Sequence, residues 1–462
     1  MRDVLALTLS VALPWVAGTL WIRAALRRTA SPGAMICIGY GYLVGLFGVT
    51  VVMRGLDLVG ALWNVAWIAL PVAALAVAAY LSVRPLAMRA DFARTLEGLA
   101  ALAPSIRALF AVLLALTAIR AVMLGVEVMM TPLVAYDALA HWATKSRVWF
   151  EYGRMASFVH DSAWGKAAGL MNFTDTHPEY PGTVPLFQVW TALCIGRWDE
   201  SLINAPWVAG FVSLGIAFYA QARRLGIGAL PAMFGSYVLL SLPYLTIQVA
   251  LAGYADIFIA IAYGLSAMAL WQWSISRQWG DAALALVMAV ICASLKQEGI
   301  LWVLTLLPGA LVAVNRRLGL SSTALVAALA VGFLALAPAE LSVFGYALRT
   351  RFDNVSRPLY EHLFVMDNWH LLWYAVVAVI VLNVREIAGN VLAPMSVTML
   401  AAAGFIVVVF YFSNASWGVR DETLTNRLVL QIVPALVFYV ALILRVRSNR
   451  TVPASGSIST PA

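Results

Sequence analysis

Long apolar stretches, separated by short polar segments, run along most of the chain. A helix needs about 20 mostly apolar residues to cross the hydrocarbon core of a membrane. Thirteen segments come near that length: 3–22, 35–53, 60–82, 105–129, 201–221, 230–249, 253–273, 281–295, 300–315, 322–345, 371–385, 392–413 and 427–445. The pattern therefore predicts an all-α polytopic membrane protein with about 13 transmembrane helices.

Composition supports the membrane interpretation. Of the 462 residues, 63% are hydrophobic and only 11% are charged, whereas soluble domains carry about 25% charged residues. The net charge of +8 does not indicate nucleic-acid binding, because the arginines stand singly between apolar runs and form no basic stripe. The three cysteines have no metal-type spacing, so we expect neither a disulfide framework nor a zinc site.

The distribution of arginine predicts the orientation. Arginines concentrate in the loops that follow odd-numbered segments, and such loops are cytoplasmic under the positive-inside rule. We therefore expect the N-terminus and the long loop 130–200 outside, and the tail 446–462 cytoplasmic and disordered. All five histidines then fall on the outer side. The Arg- and Ala-rich composition favours a bacterial inner (cytoplasmic) membrane.

Loop 130–200 carries two helical patterns. The first part mixes aromatic and cationic residues at helical spacing, which is typical of a helix lying in the membrane interface. Asp137, His141 and Lys145 are four residues apart and should share a face, so we interpret His141 as a structural partner of Asp137. The apolar run 183–195 is too short to span and follows Pro181; it should form a second interfacial or partly embedded helix.

Five short motifs follow one another along the chain. They are Tyr-Asp-x-x-x-His-Trp-x-x-Lys at 136–145, His-Pro-Glu-Tyr-Pro at 177–181, Gly-Tyr-Ala-Asp at 253–256, Lys-Gln-Glu-Gly at 296–299 and Thr-Asn-Arg at 425–427. In this order and spacing, residues 105–445 resemble the GT-C glycosyltransferases, in particular the protein O-mannosyltransferase and aminoarabinose-transferase branch. The three segments within residues 1–104 lie outside the resemblance and look like an addition to that core.

The resemblance implies lipid-linked sugar chemistry. Members of the family transfer a sugar from a polyprenyl-phosphate carrier to a lipid, glycan or protein acceptor on the outer face, with inversion at the anomeric carbon. Their catalytic base is an acid in the first outer loop of the core, which corresponds to Asp137. Many relatives have a second acid directly after this one, where this chain has Ala138. That departure argues against placing the chain in either named subgroup.

The residue types fit such a transfer. A phosphate leaving group needs no general acid, so one base and several cations suffice, unlike the carboxylate pair of a glycoside hydrolase. The candidate phosphate ligands are Lys296, Arg427, Arg420, Lys145 and Arg147. The candidate substrate-pocket residues are His141, His177, Glu179, Tyr180, Asp256, Glu298 and Glu340.

Several of these residues also have a purely structural interpretation. Asp137 could cap the interfacial helix and Asp256 could cap its span, since Asp favours that position. Lys296 and Glu298 could simply pair with each other. Because buried charge in a membrane is costly, Arg120 and Glu340 should line one outward-facing cavity. The plain alternative for Arg120 is a pair with Glu127 on its own helix.

Other functions remain open. No His-x-x-x-His spacing occurs, so we expect no required metal, although the outer histidines and acids leave a divalent ion as an alternative. No Gly-rich phosphate loop occurs, which argues against a nucleotide-sugar donor. A transporter or flippase would also use many spans and intramembrane charges. A polymerase or ligase of lipid-linked oligosaccharides would use similar chemistry. Membrane lipids are expected partners; nucleic acid is not.

Overall fold

The computed structural model describes residues 1–27, 33–83, 85–163, 173–336, 340–343, 346–349 and 352–451. These residues are almost all helical, with two pairs of short strands, so the all-α class is confirmed. The prediction that the tail 446–462 is disordered is wrong for residues 446–451, which continue the last helix. Residues 452–462 lie outside the described residues.

By its contacts the chain forms two compact units, which we describe separately. The first comprises Met1–Leu304 and Asn426–Pro434, and the second comprises Thr305–Thr425 and Ala435–Ala462. The first thirteen helices, of which the last continues into the second unit, are α1 Arg2–Ala25, α2 Ala34–Leu58, α3 Val65–Ser82, α4 Pro85–Ala100, α5 Pro104–Met130, α6 Ala143–Tyr152, α7 Thr183–Ile195, α8 Ala205–Arg224, α9 Ala229–Ser241, α10 Pro243–Ala250, α11 Asp256–Ser276, α12 Trp279–Leu295 and α13 Gln297–Val314.

The remaining helices are α14 Arg316–Leu336, α15 Ser356–Tyr360, α16 Leu372–Leu382, α17 Val384–Ile387, α18 Ala393–Phe412, α19 Ser416–Arg420, α20 Thr425–Leu430 and α21 Val433–Thr451. Strands β1 Phe158–Val159 and β2 Phe173–Thr174 pair in parallel, and β3 Glu340–Val343 and β4 Tyr346–Arg349 pair antiparallel.

Within the described residues, nine helices are long and apolar enough to cross a membrane. Helices α9 and α10 meet at a bend of 57° and make a tenth if they are one broken span. These helices are those of an integral membrane protein. The predicted count of about 13 is not confirmed, because several predicted spans correspond to shorter helices, α16 with 11 residues among them. Which membrane holds the protein, and in which orientation, stay predictions.

The N-terminal helices α1 and α2 belong to the first unit and support the elements around the long loop. The Ser213 hydroxyl on α8 donates to the Gly39 carbonyl on α2 at 2.6 Å. A Cβ at Gly39 would come within 2.5 Å of the Ala217 backbone, so this close approach requires glycine. The Trp190 indole on α7 donates to the Ser10 carbonyl on α1 at 2.9 Å. Residues 1–104 as an addition to a GT-C core stay a prediction.

Helix α7 coincides with the predicted apolar helix 183–195. Every residue from Thr183 to Ala192 is buried within the protein. The Gln188 amide donates to Asn204 at 2.9 Å, and its carbonyl accepts from the Ser146 hydroxyl at 2.8 Å. This buried polar link fastens α7 to α6 and to the turn before α8. Helix α7 is therefore a core element of its unit.

In the second unit the predicted span 322–345 is wrong at its C-terminal end. Helix α14 ends at Leu336, and Glu340 begins strand β3, where it is the register partner of Arg349. The sequence has a proline at 338, which lacks a backbone N–H and does not continue a helix. Glu340 is therefore not in a membrane-spanning helix. The same unit contains Arg420, at the end of α19. Its Nη2 lies 3.4 Å from Asp353 Oδ1, and its side chain is 54% exposed.

Candidate functional site

A π-helical turn sets the direction of the side chains at the start of the long loop. Residues Ala138–Trp142 form this turn, and α6 follows directly. A π turn closes hydrogen bonds between residues five apart, so the four-residue step from Asp137 to His141 does not place these two side chains on one face. The predicted pairing of His141 with Asp137 is therefore wrong. Asp137 contacts Arg427, while His141 and Lys145 both contact Asp175.

A glycine brings the π turn close to the start of α11. Gly253 has a φ of +105°, a backbone conformation that residues other than glycine rarely adopt. A Cβ at this position would lie within 2.5 Å of the Ala138 side chain. Ala138 is fully buried. A second acid after Asp137 would therefore meet the backbone of the loop before α11. Position 138 therefore accommodates only a small side chain in this packing.

Arg427 joins two carboxylates from distant parts of the chain. Its Nη2 lies 2.6 Å from Asp137 Oδ2, and its Nε and Nη2 lie 2.9 and 2.8 Å from Asp256 Oδ2. The Gln431 amide donates to the other Asp256 oxygen at 2.7 Å. The guanidinium also lies over the Tyr254 ring, 4.5 Å from its centroid.

The two carboxylates differ in access. The side chain of Asp256 is 1% exposed, whereas that of Asp137 is 20% exposed. Asp256 is therefore a buried anchor for Arg427, and Asp137 is the carboxylate that an incoming molecule can reach. Asp137 stands at the N-cap position of the π turn, yet its side chain makes no capping hydrogen bond. The capping interpretation of Asp137 thus lacks its expected contact.

Lys296 adds a second cation to this cluster. It lies between α12 and α13, with Nζ 3.1 Å from Glu298 Oε1 and 3.7 Å from Asp256 Oδ1. Burial disfavours its charged form, but the negative charges of Asp256 and Glu298 outweigh burial and raise the pKa of Lys296. The predicted Lys296–Glu298 pair therefore exists, and it extends to Asp256. We call Asp137, Asp256, Lys296, Glu298 and Arg427 the arginine cluster.

A second cluster surrounds Asp175, which the sequence analysis missed. The Asp175 carboxylate lies 2.6 Å from His141 Nδ1 and 2.8 Å from Lys145 Nζ, and it accepts from the His177 backbone N–H at 2.8 Å. Burial alone would raise the pKa of Asp175, but these hydrogen bonds and the Lys145 charge hold it below its usual value. We call Asp175, His141 and Lys145 the aspartate cluster.

The position of Asp175 in the sequence offered one signal. It stands two residues before the His177 motif in the loop expected to carry the site. Lys145 is 1% exposed and also donates to the His177 carbonyl at 2.7 Å. Burial is the main cause that lowers the pKa of Lys145. Its ammonium is paired with the Asp175 carboxylate at 2.8 Å and faces the interior of the fold.

Tyr180 lies between the two clusters. Its ring stacks on His177 at a centroid distance of 4.6 Å and on Trp142 at 5.0 Å. Lys145 Nζ and Lys296 Nζ lie 5.7 and 5.9 Å from the Tyr180 ring centroid. Burial raises the pKa of Tyr180 to about 12, so its hydroxyl remains protonated near neutral pH. Tyr180 is thus a packing platform that couples the clusters.

The other candidates have contacts of their own. His177 Nδ1 is 3.1 Å from Glu179 Oε1, and both side chains are about half exposed. Arg147 is 60% exposed and 3.9 Å from a Glu200 oxygen. Arg120 donates to the Ser241 carbonyl at 3.2 Å, a partner that the sequence did not predict. Arg420 and Glu340 belong to the second unit.

In the described part of the chain, no group of three or more His, Cys, Asp or Glu side chains is arranged to hold a metal ion. Comparison with known proteins adds no relative: no protein-family model, curated protein or solved structure matches the chain. The two clusters and the sequence motifs that supply their residues are therefore the features of this chain that bear on function.

Proposed function

We propose that the protein is an inverting membrane glycosyltransferase. It would transfer a sugar from a polyprenyl-phosphate carrier to a hydroxyl of a lipid, glycan or protein acceptor. The observation that carries the proposal is the arginine cluster, in which the partly exposed Asp137 carboxylate lies 2.6 Å from Arg427, and Arg427 shares Asp256 with Lys296. A base next to two cations is what displacement of a lipid phosphate requires.

In the proposed reaction Asp137 accepts the proton of the acceptor hydroxyl. The acceptor oxygen attacks the anomeric carbon, and the bond from that carbon to the phosphate oxygen breaks. The electron pair leaves with the phosphate, whose charge Arg427 and Lys296 stabilise. A single displacement inverts the anomeric carbon. The leaving phosphate is stable as an anion, so the scheme needs no second carboxylate as acid.

The contact between Arg427 and Asp137 gives the donor a role in activating the base. We expect the donor phosphate to take the Arg427 Nη2 that now holds Asp137, at 2.6 Å. Asp256 would keep the guanidinium in place through Nε, at 2.9 Å. Asp137 is then released to accept the acceptor proton. This order protects the base until the donor is bound.

The decisive experiment is a transfer assay on the purified protein with a panel of polyprenyl-phosphate sugars. We expect Asp137→Asn to lower transfer by about 10²–10⁴-fold while the protein stays folded, because general-base catalysis is worth about that much. Asp161→Asn is the matched control, since Asp161 is an exposed acid of the same long loop. Unchanged transfer in Asp137→Asn would remove Asp137 as the base, and no transfer by wild type with any donor would remove the function.

A transporter or flippase is the second candidate, and one observation favours it. Helices α9 and α10 are bent by 57° at a short break, and broken helices are typical of transporter binding sites. A liposome assay separates the two classes by measuring movement of a labelled lipid-linked sugar across the bilayer without transfer. A polymerase or ligase would use the same cluster and would differ only in preferring lipid-linked oligosaccharides.

A further inference from the structure

A polar cavity lies at the end of α8 opposite to the arginine cluster. The Trp207 indole, near the start of α8, donates to the Tyr254 carbonyl beside that cluster, and α8 is about 30 Å long. The cavity at its other end has a volume of about 330 Å³. Its lining includes three arginines, Arg94, Arg223 and Arg224. It belongs wholly to the first unit and to the side that the arginine pattern predicts to be cytoplasmic.

The charges at this cavity have an excess of cations. Asp91 lies in the lining and is shared by Arg94 and by Arg23, which is 3.3 Å away. Arg224 is held by Asp281, with Nη2 at 3.1 Å from Oδ2. Arg223 donates to a backbone carbonyl, that of Ile227, at 2.7 Å.

Four guanidinium groups therefore face two carboxylates in this described region. The N-terminus of α2 also lines the cavity, with Gly33 at its N-cap and no side chain capping it. Both features favour an anion.

An apolar cavity adjoins the polar one. It has a volume of about 410 Å³ and shares Met35, Thr95, Leu99 and Tyr219 with the polar cavity. Helices α4, α5, α8 and α9 line it almost entirely with apolar side chains. Tyr219 stands at the junction, 8% exposed, with its hydroxyl buried beside Arg223. The two cavities together accommodate a molecule with an anionic head and an apolar tail.

We propose that these cavities form a binding site for an anionic phospholipid, separate from the proposed donor site. The phosphate would lie among Arg94, Arg223, Arg224 and the N-terminus of α2, and an acyl chain would lie in the apolar cavity. A soluble phosphate would use only the polar cavity and would leave the apolar one empty. The polar and apolar cavities lie side by side and share four lining residues, which favours a lipid. The site depends on no feature of the arginine cluster, so it stands or falls independently of the transferase proposal.

Native mass spectrometry of the full chain in a non-ionic detergent tests this site. We expect one phosphatidylglycerol to remain bound where phosphatidylcholine dissociates. The double variant Arg94→Gln/Arg223→Gln should weaken that binding by about tenfold or more, because each substitution removes a charge-assisted contact. Arg316→Gln/Arg317→Gln is the matched control, because it removes the same charge. Both arginines are exposed on α14 and lie on the side of the membrane predicted to be cytoplasmic. Arg94→Gln alone, on a 73% exposed side chain, gives a variant that should fold.

A second pair of variants tests the apolar cavity. Ala118 lines this cavity, so Ala118→Trp should reduce phosphatidylglycerol binding without changing charge. Ala115→Trp, on the same helix but not in the cavity lining, should leave binding intact. Glycerol phosphate should not displace the lipid. Equal retention of both lipids, unchanged binding in Arg94→Gln/Arg223→Gln, or binding that glycerol phosphate abolishes while Ala118→Trp leaves it intact would each overturn the proposal.

Discussion

Arg427 donates to a single carboxylate oxygen of Asp256 through two of its nitrogens, at 2.9 Å from Nε and 2.8 Å from Nη2. This contact joins the start of α11 to α20. It orients the guanidinium so that Nη2 also reaches Asp137. The buried Asp256 thus determines where Arg427 holds the partly exposed Asp137, which is the proposed base.

Replacing Asp256 by Asn should destabilise the protein strongly. The variant leaves the charges of Arg427 and Lys296 with less compensation in a buried site, and loss of one partner of a buried ion pair costs about 3–5 kcal/mol. Thermal unfolding in detergent micelles measures the effect. Asp199→Asn is the control, because Asp199 pairs with the half-exposed Arg197. An Asp256→Asn protein as stable as the control would show that Asp256 is not the anchor.

Replacing Arg427 by Lys should reduce sugar transfer while keeping the positive charge. A lysine ammonium lacks the planar fork that spans two carboxylates, so Asp137 and the donor phosphate would both lose their oriented partner. We expect a decrease of about 10–100-fold in kcat/KM for the lipid donor, equivalent to one or two charge-assisted hydrogen bonds. Arg154→Lys, at an exposed position of the same long loop as Asp137, should leave kcat/KM unchanged. Comparable losses in both variants would contradict a specific role for Arg427.

Asp175 should make the free energy of unfolding depend on pH in the acidic range. Its pKa is lower in the folded protein than the value of about 3.9 expected for an unfolded chain. Its ionised form therefore stabilises the fold at every pH above about 3.9, and this contribution is lost as pH falls through the lower folded pKa. Asp175→Asn should be less stable at neutral pH and should lose less stability on acidification below about pH 4.

Melting temperatures across a pH series measure this effect. Asp161→Asn, on the surface of the same loop, should keep the wild-type pH profile. If Asp175→Asn followed the wild-type profile at a constant offset, the acid sensitivity would arise elsewhere in the protein.

Tyr180 should contribute through its ring and not through its hydroxyl. Tyr180→Phe keeps the stacking on His177 and Trp142, so its stability should match wild type. Tyr180→Ala removes both stacked pairs, each worth about 0.5–1.5 kcal/mol beyond the buried area of the ring, and should lower the unfolding free energy by at least about 1–3 kcal/mol. Chemical unfolding followed by tryptophan fluorescence measures the difference. A loss in Tyr180→Phe as large as that in Tyr180→Ala would assign the role to the hydroxyl.

Residue types predicted which charged side chains belong to the candidate site, but not which of them pair with each other. Lys296, Glu298, Asp256 and Arg427 were all named as candidates, and they do lie together. His141 was assigned to Asp137 because four-residue spacing assumes an α-helix, and the π turn at Ala138–Trp142 changes that spacing. A π turn has no strong sequence signature, so this error could not have been avoided from spacing alone.

Two further differences have simple physical causes. Asp175 was missed because an acid in a polar loop is normally solvated, and only the packing of α6 against that loop buries it. Glu340 was assigned to a span because the apolar run was extended past the proline at 338. That proline was a readable stop signal. The fold class and most helix positions were predictable since apolar runs are a local property of the chain.

The sequence by itself determined the membrane class and the long apolar helices, because hydrophobic periodicity and helix propensity are properties of a few consecutive turns. It also determined which reactive side chains are present. Only the tertiary structure decided which charges meet. Asp137 and Arg427 are 290 positions apart, and Asp175 reaches His141 and Lys145 from 34 and 30 positions away. Coulomb attraction is strong only at short distance, and folding alone brings such distant groups within that distance.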